Sequence, residues 1–253
     1  MNSKILVATH KQYQFPASSL YVPIHVGSAL TTTNLGYLTD DTQENISSKN
    51  QSFCELTALY WAWKNNFIDT SSYVGLVHYR RYFVGGLTFG KASILSNEQL
   101  EHYLKEYDVI TPKKRKYYVE TVESHYGNAH YLKDLKLLRA VINETTPEYL
   151  TSFDQLMQER ELYPFNMFVM HHKHFTNYMQ WLFPLLLELE KRLDISTYNS
   201  YQSRIFGFLA ERLFNVWLKS NNLKVKELKV IHLEGENLLI KAYNMLKRKF
   251  SNT

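Results

Sequence analysis

Residues 73–83, YVGLVHYRRYF, decide the fold class of this chain. The first half, VGLV, is short, apolar and rich in β-branched residues, which is typical of a strand buried in a sheet. The second half changes abruptly to His78-Tyr79-Arg80-Arg81, a cluster that a core would reject. In open α/β sheets ligands bind at the carboxyl ends of such strands, and arginine forks grip phosphate oxygens. The pattern therefore predicts a central strand that ends at an anion site, with solvated charges at a strand end as the alternative.

The sequence around this strand alternates between strand and helix patterns. Further strands are predicted at residues 4–9, 21–26, 107–110, 165–170 and 224–232. Helices are predicted at residues 52–65, 97–106, 131–143, 148–159, 175–192, 201–218 and 235–250. This alternation predicts a mainly parallel sheet flanked by helices, with a helical C-terminal part. Ser52 and Glu55 match a capping box that would begin the first helix, and a site role for Glu55 is the alternative.

Composition narrows the class of protein. The chain has 253 residues, 45% of them hydrophobic, and we expect a single domain, 1–253. The net charge of +5 and the pI near 9.0 favour acidic partners such as nucleotide phosphates or anionic lipid surfaces. The basic residues are scattered, which argues against a nucleic-acid partner. With Cys54 as the only cysteine, an internal disulfide and a cysteine-based zinc site are excluded, and a buried structural thiol is expected.

Several enzyme and membrane classes lose support. The chain contains no GxGxxG, GxxxxGK[ST] or GxSxG, which counts against Rossmann dehydrogenases, P-loop enzymes and α/β-hydrolases. It has no apolar run of the roughly 18 residues that a membrane span requires, and the N-terminus enters a strand directly, so a cytoplasmic protein is expected. The histidines of residues 171–174, HHKH, point apart on a strand or turn, so they do not predict a metal site.

A polar loop at residues 39–50 supplies hydrogen-bonding groups just ahead of a predicted helix. Helix N-termini favour anions, so this loop is expected to contact ribose or phosphate. The residues concerned are Asp40, Asp41, Asn45, Lys49 and Asn50. Turn formation and capping are the alternative for all of them, and Lys49 and Asn50 favour neither interpretation.

Five blocks of the sequence resemble a known family. They are LGYLTDDTQENISSKNQSFCELTALYWAWKN, YVGLVHYRRYF, YDVITPKKRKYYVETVESHY, FNMFVM and YQSRIFGFLAERLFNVWL, in this order. They resemble the bacterial domain of unknown function 4422, which occurs in capsular and exopolysaccharide biosynthesis and is regarded as glycosyltransferase. The similarity covers about residues 4–220, which leaves 221–253 as a C-terminal extension.

The resemblance implies a nucleotide-sugar-binding fold of the GT-A kind. Many GT-A enzymes place an Asp-x-Asp metal motif at the end of the strand that here reads YVGLV, where this chain has His78-Tyr79-Arg80. Arg80 or Arg81 is then expected to neutralise the departing diphosphate in place of a metal. The adjacent pair Asp40 and Asp41 leaves Mn²⁺ or Mg²⁺ as an open alternative, and no other cofactor is expected.

The resemblance also suggests roles for other residues. Thr9, His10 and Lys11 follow the first strand, where GT-A folds usually receive the nucleoside. Asn166 resembles the asparagine of the sugar-contacting strand in some retaining families, although a structural hydrogen bond would explain it equally well. Tyr201 and Arg204 are candidates for acceptor binding.

The expected catalytic groups are Asp40, Asp41, His78 and Arg80. An inverting transfer needs a general base near the acceptor, and the sequence does not rank the candidates. They are Asp40, Asp41, Glu120, Glu123, His125 and Glu211. Whether the reaction inverts or retains configuration stays open.

These inferences lead to one expected function and one alternative. The chain is expected to transfer a hexose from a UDP-sugar to a lipid-linked saccharide, and family association alone favours galactose, as pyranose or furanose. The alternative is a non-catalytic nucleotide-sugar-binding subunit of another transferase. Transient contact with the membrane surface is expected through the basic amphipathic helix 235–250, with a terminal helix that packs on the core and has a solvated basic end as the alternative. Residues 113–116, KKRK, are expected to meet acceptor phosphates, anionic lipid or only solvent.

Overall fold

The computed structural model describes residues 3–67 and 72–233. Its strands are β1 (Lys4–Thr9), β2 (Tyr21–His25), β3 (Leu38–Thr39), β4 (Tyr73–His78), β5 (Arg81–Phe89), β6 (Ala92–Ile94), β7 (Val109–Pro112), β8 (Arg115–Lys116), β9 (Glu161–Leu162), β10 (Phe168–His171), β11 (Val225–Leu228) and β12 (Val230–His232). Its α-helices are α1 (Asn50–Phe53), α2 (Leu56–Lys64), α3 (Asn97–Leu104), α4 (Val122–Ala129), α5 (Leu132–Thr145), α6 (Leu150–Gln158), α7 (His172–Arg192) and α8 (Ile205–Ser220). Short 3-10 helices are Ser28–Leu30, Ser47–Lys49, Pro147–Tyr149 and Gln202–Arg204.

The central sheet is mixed, with mostly parallel neighbours. Its strand order is β11-β7-β10-β4-β1-β2-β3, and only β10 runs antiparallel to its two neighbours along this path. Strands β4 and β1 are parallel, with Ala8 opposite His78 at their carboxyl ends. The predicted buried strand is therefore central, and its polar end lies beside the end of β1.

The alternation of side chains along the strands divides the core in two. Leu6 and Leu76 face a large core built with α1, α2 and α4–α8, whereas Ile5 and Val77 face a smaller core on the other side. The smaller core is covered by α3 and by the β5–β6 hairpin rather than by a full helical layer. Both faces of β4 are buried, which explains why it reads as a continuous apolar run.

The polar cluster after β4 forms a hairpin. His78 pairs with Arg81, so Tyr79 and Arg80 make a two-residue turn and β5 runs back antiparallel to β4. The sequence did not predict β5, β6 or α4. Residues 84–90 contain three glycines and so lack the clean apolar–polar alternation of a predictable strand.

The predicted helix 52–65 is interrupted. α1 ends at Phe53, and Cys54 has φ 53° and ψ −134°, a backbone conformation that a non-glycine residue rarely adopts. The predicted capping box is therefore wrong: Ser52 lies inside α1, where its hydroxyl donates to the Lys49 carbonyl at 3.2 Å. Glu55 precedes α2 but makes no capping bond through its side chain, which leaves its carboxylate available to another partner. The predicted helix 235–250 lies outside the described residues.

Candidate functional site

A cleft of about 570 Å³ lies at the carboxyl edge of the sheet, where β1 and β4 end. Its walls come from the ends of β1, β2 and β4, from the α1–α2 junction, and from the start of α8 with the segment before it. Nine residues that the sequence analysis named as site residues or as alternatives line it, namely His10, Asn50, Glu55, His78, Tyr79, Arg80, Arg81, Arg204 and Glu211. The sequence did not single out Gln51, Phe165, Ser200, Ser203 or Phe208, which line it as well.

One wall of the cleft is basic and aromatic. The β4–β5 turn places the Arg80 guanidinium 5.4 Å from the centre of the Tyr79 ring, and that of Arg81 lies 4.7 Å from the Phe165 ring. His10, at the end of β1, packs edge-on against Tyr79 at 5.5 Å between ring centres. Partial burial, together with nearby Lys11 and Arg80, lowers the pKa of His10 below its ordinary value. A cationic wall of this kind suits an anionic ligand.

Arg204 contributes a third guanidinium to the cleft. It ends the 3-10 helix before α8, and its Nε donates to Cys54 Sγ at 3.4 Å. Burial raises the pKa of the Cys54 thiol to about 12, so the sulfur is protonated at neutral pH. Gly207 lies against the same cysteine, where a β-carbon at this position would stand 3.2 Å from Sγ. The close approach of α8 to the α1–α2 junction closes this part of the cleft.

The turn Phe165–Asn166 organises the polar groups at the bottom of the cleft. Both residues have positive φ, 81° and 51°, so peptide groups and side chain point in directions that a regular strand would not allow. The Phe165 carbonyl accepts from His78 Nε2 at 2.8 Å, and the Phe165 N–H donates to Glu211 Oε1 at 3.0 Å. Asn166 Nδ2 donates to Glu55 Oε1 at 2.8 Å and to the Gly207 carbonyl at 3.0 Å. One two-residue turn thus orients a histidine and two carboxylates.

The carboxylates of Glu55 and Glu211 differ in how many of their oxygens have hydrogen-bond partners. Glu211 Oε1 accepts from Phe165, and its Oε2 lies 3.2 Å from Arg212 Nη1. Glu55 Oε1 accepts from Asn166, but within residues 3–67 and 72–233 its Oε2 has no hydrogen-bond donor. Both glutamates line the cleft. Glu55 is therefore the carboxylate that is oriented on one oxygen and open on the other.

Asn166 is buried, with 4% of its surface exposed. It reaches the cleft through Glu55 and Gly207, while its own Oδ1 has no hydrogen-bond partner in the described part of the chain. The amide nitrogen of Asn166 therefore makes the structural hydrogen bonds that the sequence analysis gave as the alternative to a sugar contact. Its Oδ1 is an acceptor without a donor in the described part of the chain.

The structure removes Asp40 from the cleft. Its side chain is fully buried and accepts from the N–H groups of Gly27 and Ser28 and from the hydroxyls of Ser28 and Ser47. These bonds tie the turn after β2 to the segment before α1. A carboxylate engaged in this way is a structural anchor, so the expected catalytic or metal-binding role of Asp40 is corrected.

Other expected contact residues also lie outside the cleft lining. Asp41 is exposed, and a hydrogen bond from the Thr39 side chain lowers the pKa of its carboxyl group. The side-chain amide of Asn45 stabilises a turn by donating to the carbonyls of Asp41 and Gln43, which is the turn-forming role that the sequence analysis gave as the alternative. Lys49 is drawn away by an ion pair with Glu190 on α7.

The remaining predicted residues border the cleft without lining it. Thr9 is buried, and its hydroxyl donates to the Lys11 carbonyl at 2.7 Å, which shapes the turn after β1. Lys11 places its ammonium 5.0 Å from the centre of the Tyr79 ring. Tyr201 packs against Phe208, a lining residue, at 5.3 Å. Of these three residues, Lys11 and Tyr201 contact aromatic rings that line the cleft, those of Tyr79 and Phe208.

Among the unranked candidates for a base, Glu211 alone lines the cleft. Glu120 accepts from Asn128 Nδ2 at 2.8 Å, Glu123 lies in the first turn of α4, and His125 stacks on Tyr117. In the part of the chain that the structure describes, no three His, Cys, Asp or Glu side chains are grouped to hold a metal ion. Independence from metal stays a prediction.

The signals for the two glutamates differ. Glu211 is one of few polar residues in the apolar sequence of α8, FGFLAERLFNVWL, and an ionisable group on a buried helix is a recognisable sign of a site. Glu55 has no such sign, because its spacing from Ser52 fits a capping box.

Comparison with known proteins agrees with the family resemblance. The family model of the domain of unknown function DUF4422 matches residues 4–222. The apo structure of the bifunctional glycosyltransferase WbbM is similar, with a TM-score of 0.84 and 31% sequence identity over 93% of this chain. The match covers 46% of WbbM, so this chain spans about half the length of that protein. No curated protein sequence matches the chain.

The mixed, mostly parallel sheet with helices on its faces and the likeness to WbbM confirm the predicted GT-A-like α/β fold. Among the described helices, none is both long and apolar enough to cross a membrane. With the family model covering residues 4–222, the chain belongs to the DUF4422 family.

Proposed function

We propose that the cleft binds a nucleoside-diphosphate sugar and transfers its glycosyl group. One observation carries the proposal: a single cleft at the carboxyl edge of the sheet combines three arginines with two glutamates that share one turn. The arginines suit a diphosphate, and a carboxylate suits an acceptor hydroxyl. Membership of the DUF4422 family and the likeness to WbbM, a bifunctional glycosyltransferase, support this assignment.

In this proposal the diphosphate lies between the β4–β5 turn and the start of α8. Arg80 and Arg81 approach from the turn, and Arg204 approaches from the α8 wall. Fixed guanidinium groups stabilise the negative charge that develops on a departing diphosphate, in the way that a divalent metal does elsewhere. His10, beside Arg80, adds a group that becomes cationic when an anion binds next to it.

The transfer step follows from this arrangement. The acceptor oxygen forms a bond to the anomeric carbon while the bond from that carbon to the diphosphate breaks, and its electron pair leaves with the diphosphate. The acceptor proton passes to Glu55 Oε2, the oxygen that Asn166 leaves open. Glu211 holds the turn in place, because both of its oxygens already have partners.

The proposal also extends to substrates and setting. We propose UDP-galactose, in its pyranose or furanose form, as the donor and a lipid-linked saccharide of capsular or exopolysaccharide assembly as the acceptor. The enzyme would act at the inner face of the plasma membrane. A non-catalytic subunit that only binds nucleotide sugars is the competing function, and it shares the basic wall but does not need Glu55.

Donor hydrolysis distinguishes the two functions. The wild-type protein should release UDP slowly from a UDP-sugar without acceptor, and should do so in EDTA. Release that stops in EDTA and returns with Mn²⁺ would contradict the proposed role of the arginines. Binding of the donor with no release of UDP, with or without metal and acceptor, would favour the non-catalytic subunit.

Variants of three lining residues, Arg80, Arg81 and Glu55, test their roles. Loss of the fork in Arg80→Ala or Arg81→Ala should weaken donor binding about ten- to a hundredfold, with partial recovery in the lysine variants. Glu55→Gln should lower the transfer rate about 10²- to 10⁴-fold while donor affinity stays near that of the wild type. Glu120→Gln is the matched control, because Glu120 lies outside the cleft lining. Equal activity of Glu55→Gln and the wild type would remove Glu55 from the reaction.

A further inference from the structure

Tyr118 and Val119 form the most exposed apolar surface among the large hydrophobic residues that the structure describes. Their exposed fractions are 78% and 72%, whereas the next most exposed, Leu30, reaches 48%. A single exposed apolar residue is ordinary, whereas Tyr118 and Val119 are consecutive and both expose apolar surface in the same loop. They lie between β8 and α4.

The fold holds this surface outward. Tyr118 has φ 56°, and its carbonyl accepts from Arg160 Nη1 at 3.1 Å. On one side the Tyr117 N–H donates to the Arg160 carbonyl at 2.8 Å, and the Tyr117 ring stacks on His125. The loop is thus fixed by backbone bonds and by a packed neighbour. The exposure of Tyr118 and Val119 is a built feature of the loop.

Positive charge surrounds these two residues. Lys113, Arg115, Lys116 and Arg160 are exposed, and together with Tyr118 and Val119 they are called the basic tip. Of the acidic groups nearby, Glu161 pairs with Lys114 at 3.0 Å and Glu159 pairs with Lys219. Glu120 accepts only from the neutral Asn128 amide, and Glu123 pairs with no basic side chain among the described residues, so two carboxylates stand against the four cations. The basic tip therefore combines an apolar end with an excess of cations.

The basic tip is connected to the cleft. The guanidinium of Arg115 lies 5.0 Å from the centre of the Phe165 ring, and Phe165 lines the cleft and orients Glu211. A partner held by the basic tip would therefore lie beside a side chain that lines the cleft. This position suits a surface on which the acceptor is presented.

We propose that the basic tip docks the protein on an anionic lipid bilayer. Tyr118 and Val119 enter the headgroup region, where an aromatic ring with a polar end is favoured, and the cations meet lipid phosphates. The purpose of the contact rests on the proposed transfer to a lipid-linked acceptor, but the contact itself does not require that activity. It differs from the contact expected from residues 235–250 in the segment that makes it.

Vesicle co-sedimentation of the full chain tests the proposal. The wild-type protein should bind phosphatidylcholine vesicles containing phosphatidylglycerol, bind pure phosphatidylcholine poorly, and dissociate as salt rises. Lys113→Gln with Lys116→Gln should weaken binding about 25-fold, at about fivefold for each charge. Tyr118→Asn with Val119→Ser should weaken it about tenfold or more. Asparagine is chosen because it tolerates the positive φ of residue 118.

A matched control variant shows whether the position of the removed charges matters, and not only their number. Lys91→Gln with Lys105→Gln removes the same charge from exposed residues outside the basic tip, and should bind like the wild type. Thermal melting should show that every variant is folded, and donor hydrolysis should be unchanged in the basic-tip variants. Hydrolysis without vesicle binding would overturn this inference alone, whereas vesicle binding without hydrolysis would overturn only the proposed function.

Three results would overturn the inference. The wild-type protein could fail to sediment with anionic vesicles, which would leave the basic tip to a protein partner or to soluble phosphates. Binding could ignore lipid charge. The basic-tip variants could bind like the wild type, which would assign the contact to another basic segment such as residues 235–250.

Discussion

Replacing Asn166 tests the turn that arranges the cleft. Its side-chain amide is the donor that connects Glu55, which precedes α2, with the Gly207 carbonyl on α8. Asn166 is 4% exposed and has φ 51°, so water cannot easily replace its hydrogen bonds and its backbone favours asparagine or glycine. Asn166→Ala removes both bonds and adds backbone strain, whereas Asn166→Gly removes the bonds without that strain.

The magnitudes follow from the bonds that are lost. A hydrogen bond to a carboxylate is worth about 1.5–3 kcal/mol, and one to a neutral carbonyl about 0.5–1.5 kcal/mol. The free energy of unfolding should therefore fall by about 2–4.5 kcal/mol in Asn166→Gly. Alanine with positive φ costs about 1 kcal/mol more, so Asn166→Ala should be the less stable of the two.

Urea unfolding at neutral pH measures these differences, and donor hydrolysis by the same preparations measures their effect on the cleft. Because Glu55 loses its orienting donor, both variants should also lose transfer activity when they are fully folded. The reasoning fails if both variants unfold within about 0.5 kcal/mol of the wild type, since surface substitutions without partners already vary by that amount. It also fails if alanine is tolerated better than glycine, because the positive φ would then carry no cost.

Three further predictions concern neighbouring groups. Burial raises the pKa of Cys54 to about 12, whereas in the urea-unfolded chain the thiol has its ordinary pKa near 9.0. Iodoacetamide at pH 8 should therefore alkylate the folded protein about a thousandfold more slowly than the unfolded chain, and equal rates would show an exposed thiolate. Binding of a nucleoside-diphosphate sugar should tighten as pH falls, because burial and nearby cations lower the pKa of His10 in the free protein whereas an anion beside it favours the protonated form, so binding takes up a proton; calorimetry should show a flatter profile in His10→Gln. Gly207→Ala should destabilise by about 1–3 kcal/mol through contact with Cys54 Sγ and Cβ, as measured by urea unfolding. Cys54→Gly in the same chain removes both of these atoms and should recover much of that loss, whereas simple additivity would mean that the two residues do not press on each other.

The strand pattern of the sequence was enough to predict the central strands of the sheet, though not β5, and one wall of the cleft. Residues 74–77 are apolar on both faces, which required a buried central strand, and the abrupt change at His78 marked its carboxyl end. The basic residues of the β4–β5 turn were therefore predictable from local sequence. Their position opposite Arg204 was not, because it depends on how α8 packs against the α1–α2 junction.

The other parts of the cleft depend on backbone breaks that local patterns conceal. The apolar periodicity of residues 56–63 continues smoothly from a helical start, so nothing in it signals the break at Cys54 that frees Glu55 from capping. The positive φ values of Phe165 and Asn166 likewise interrupt a run, FNMFVM, that reads as one strand. For Asp40 the sequence predicted a site residue where the structure has a structural one. A carboxylate in a polar loop resembles a site residue, and only the four buried groups that donate hydrogen bonds to Asp40 identify it as an anchor.

The walls of the cleft come from distant parts of the chain, from Ala8 near the beginning to Glu211 on α8. A chain emerging from the ribosome therefore has no binding site until α8 has been synthesised and has closed against the α1–α2 junction. Such long-range contacts slow folding, because the chain loses conformational entropy in bringing distant segments together before their contacts stabilise it. Any ligand that bridges the walls also favours the complete fold over partly folded forms, and would therefore stabilise newly made protein.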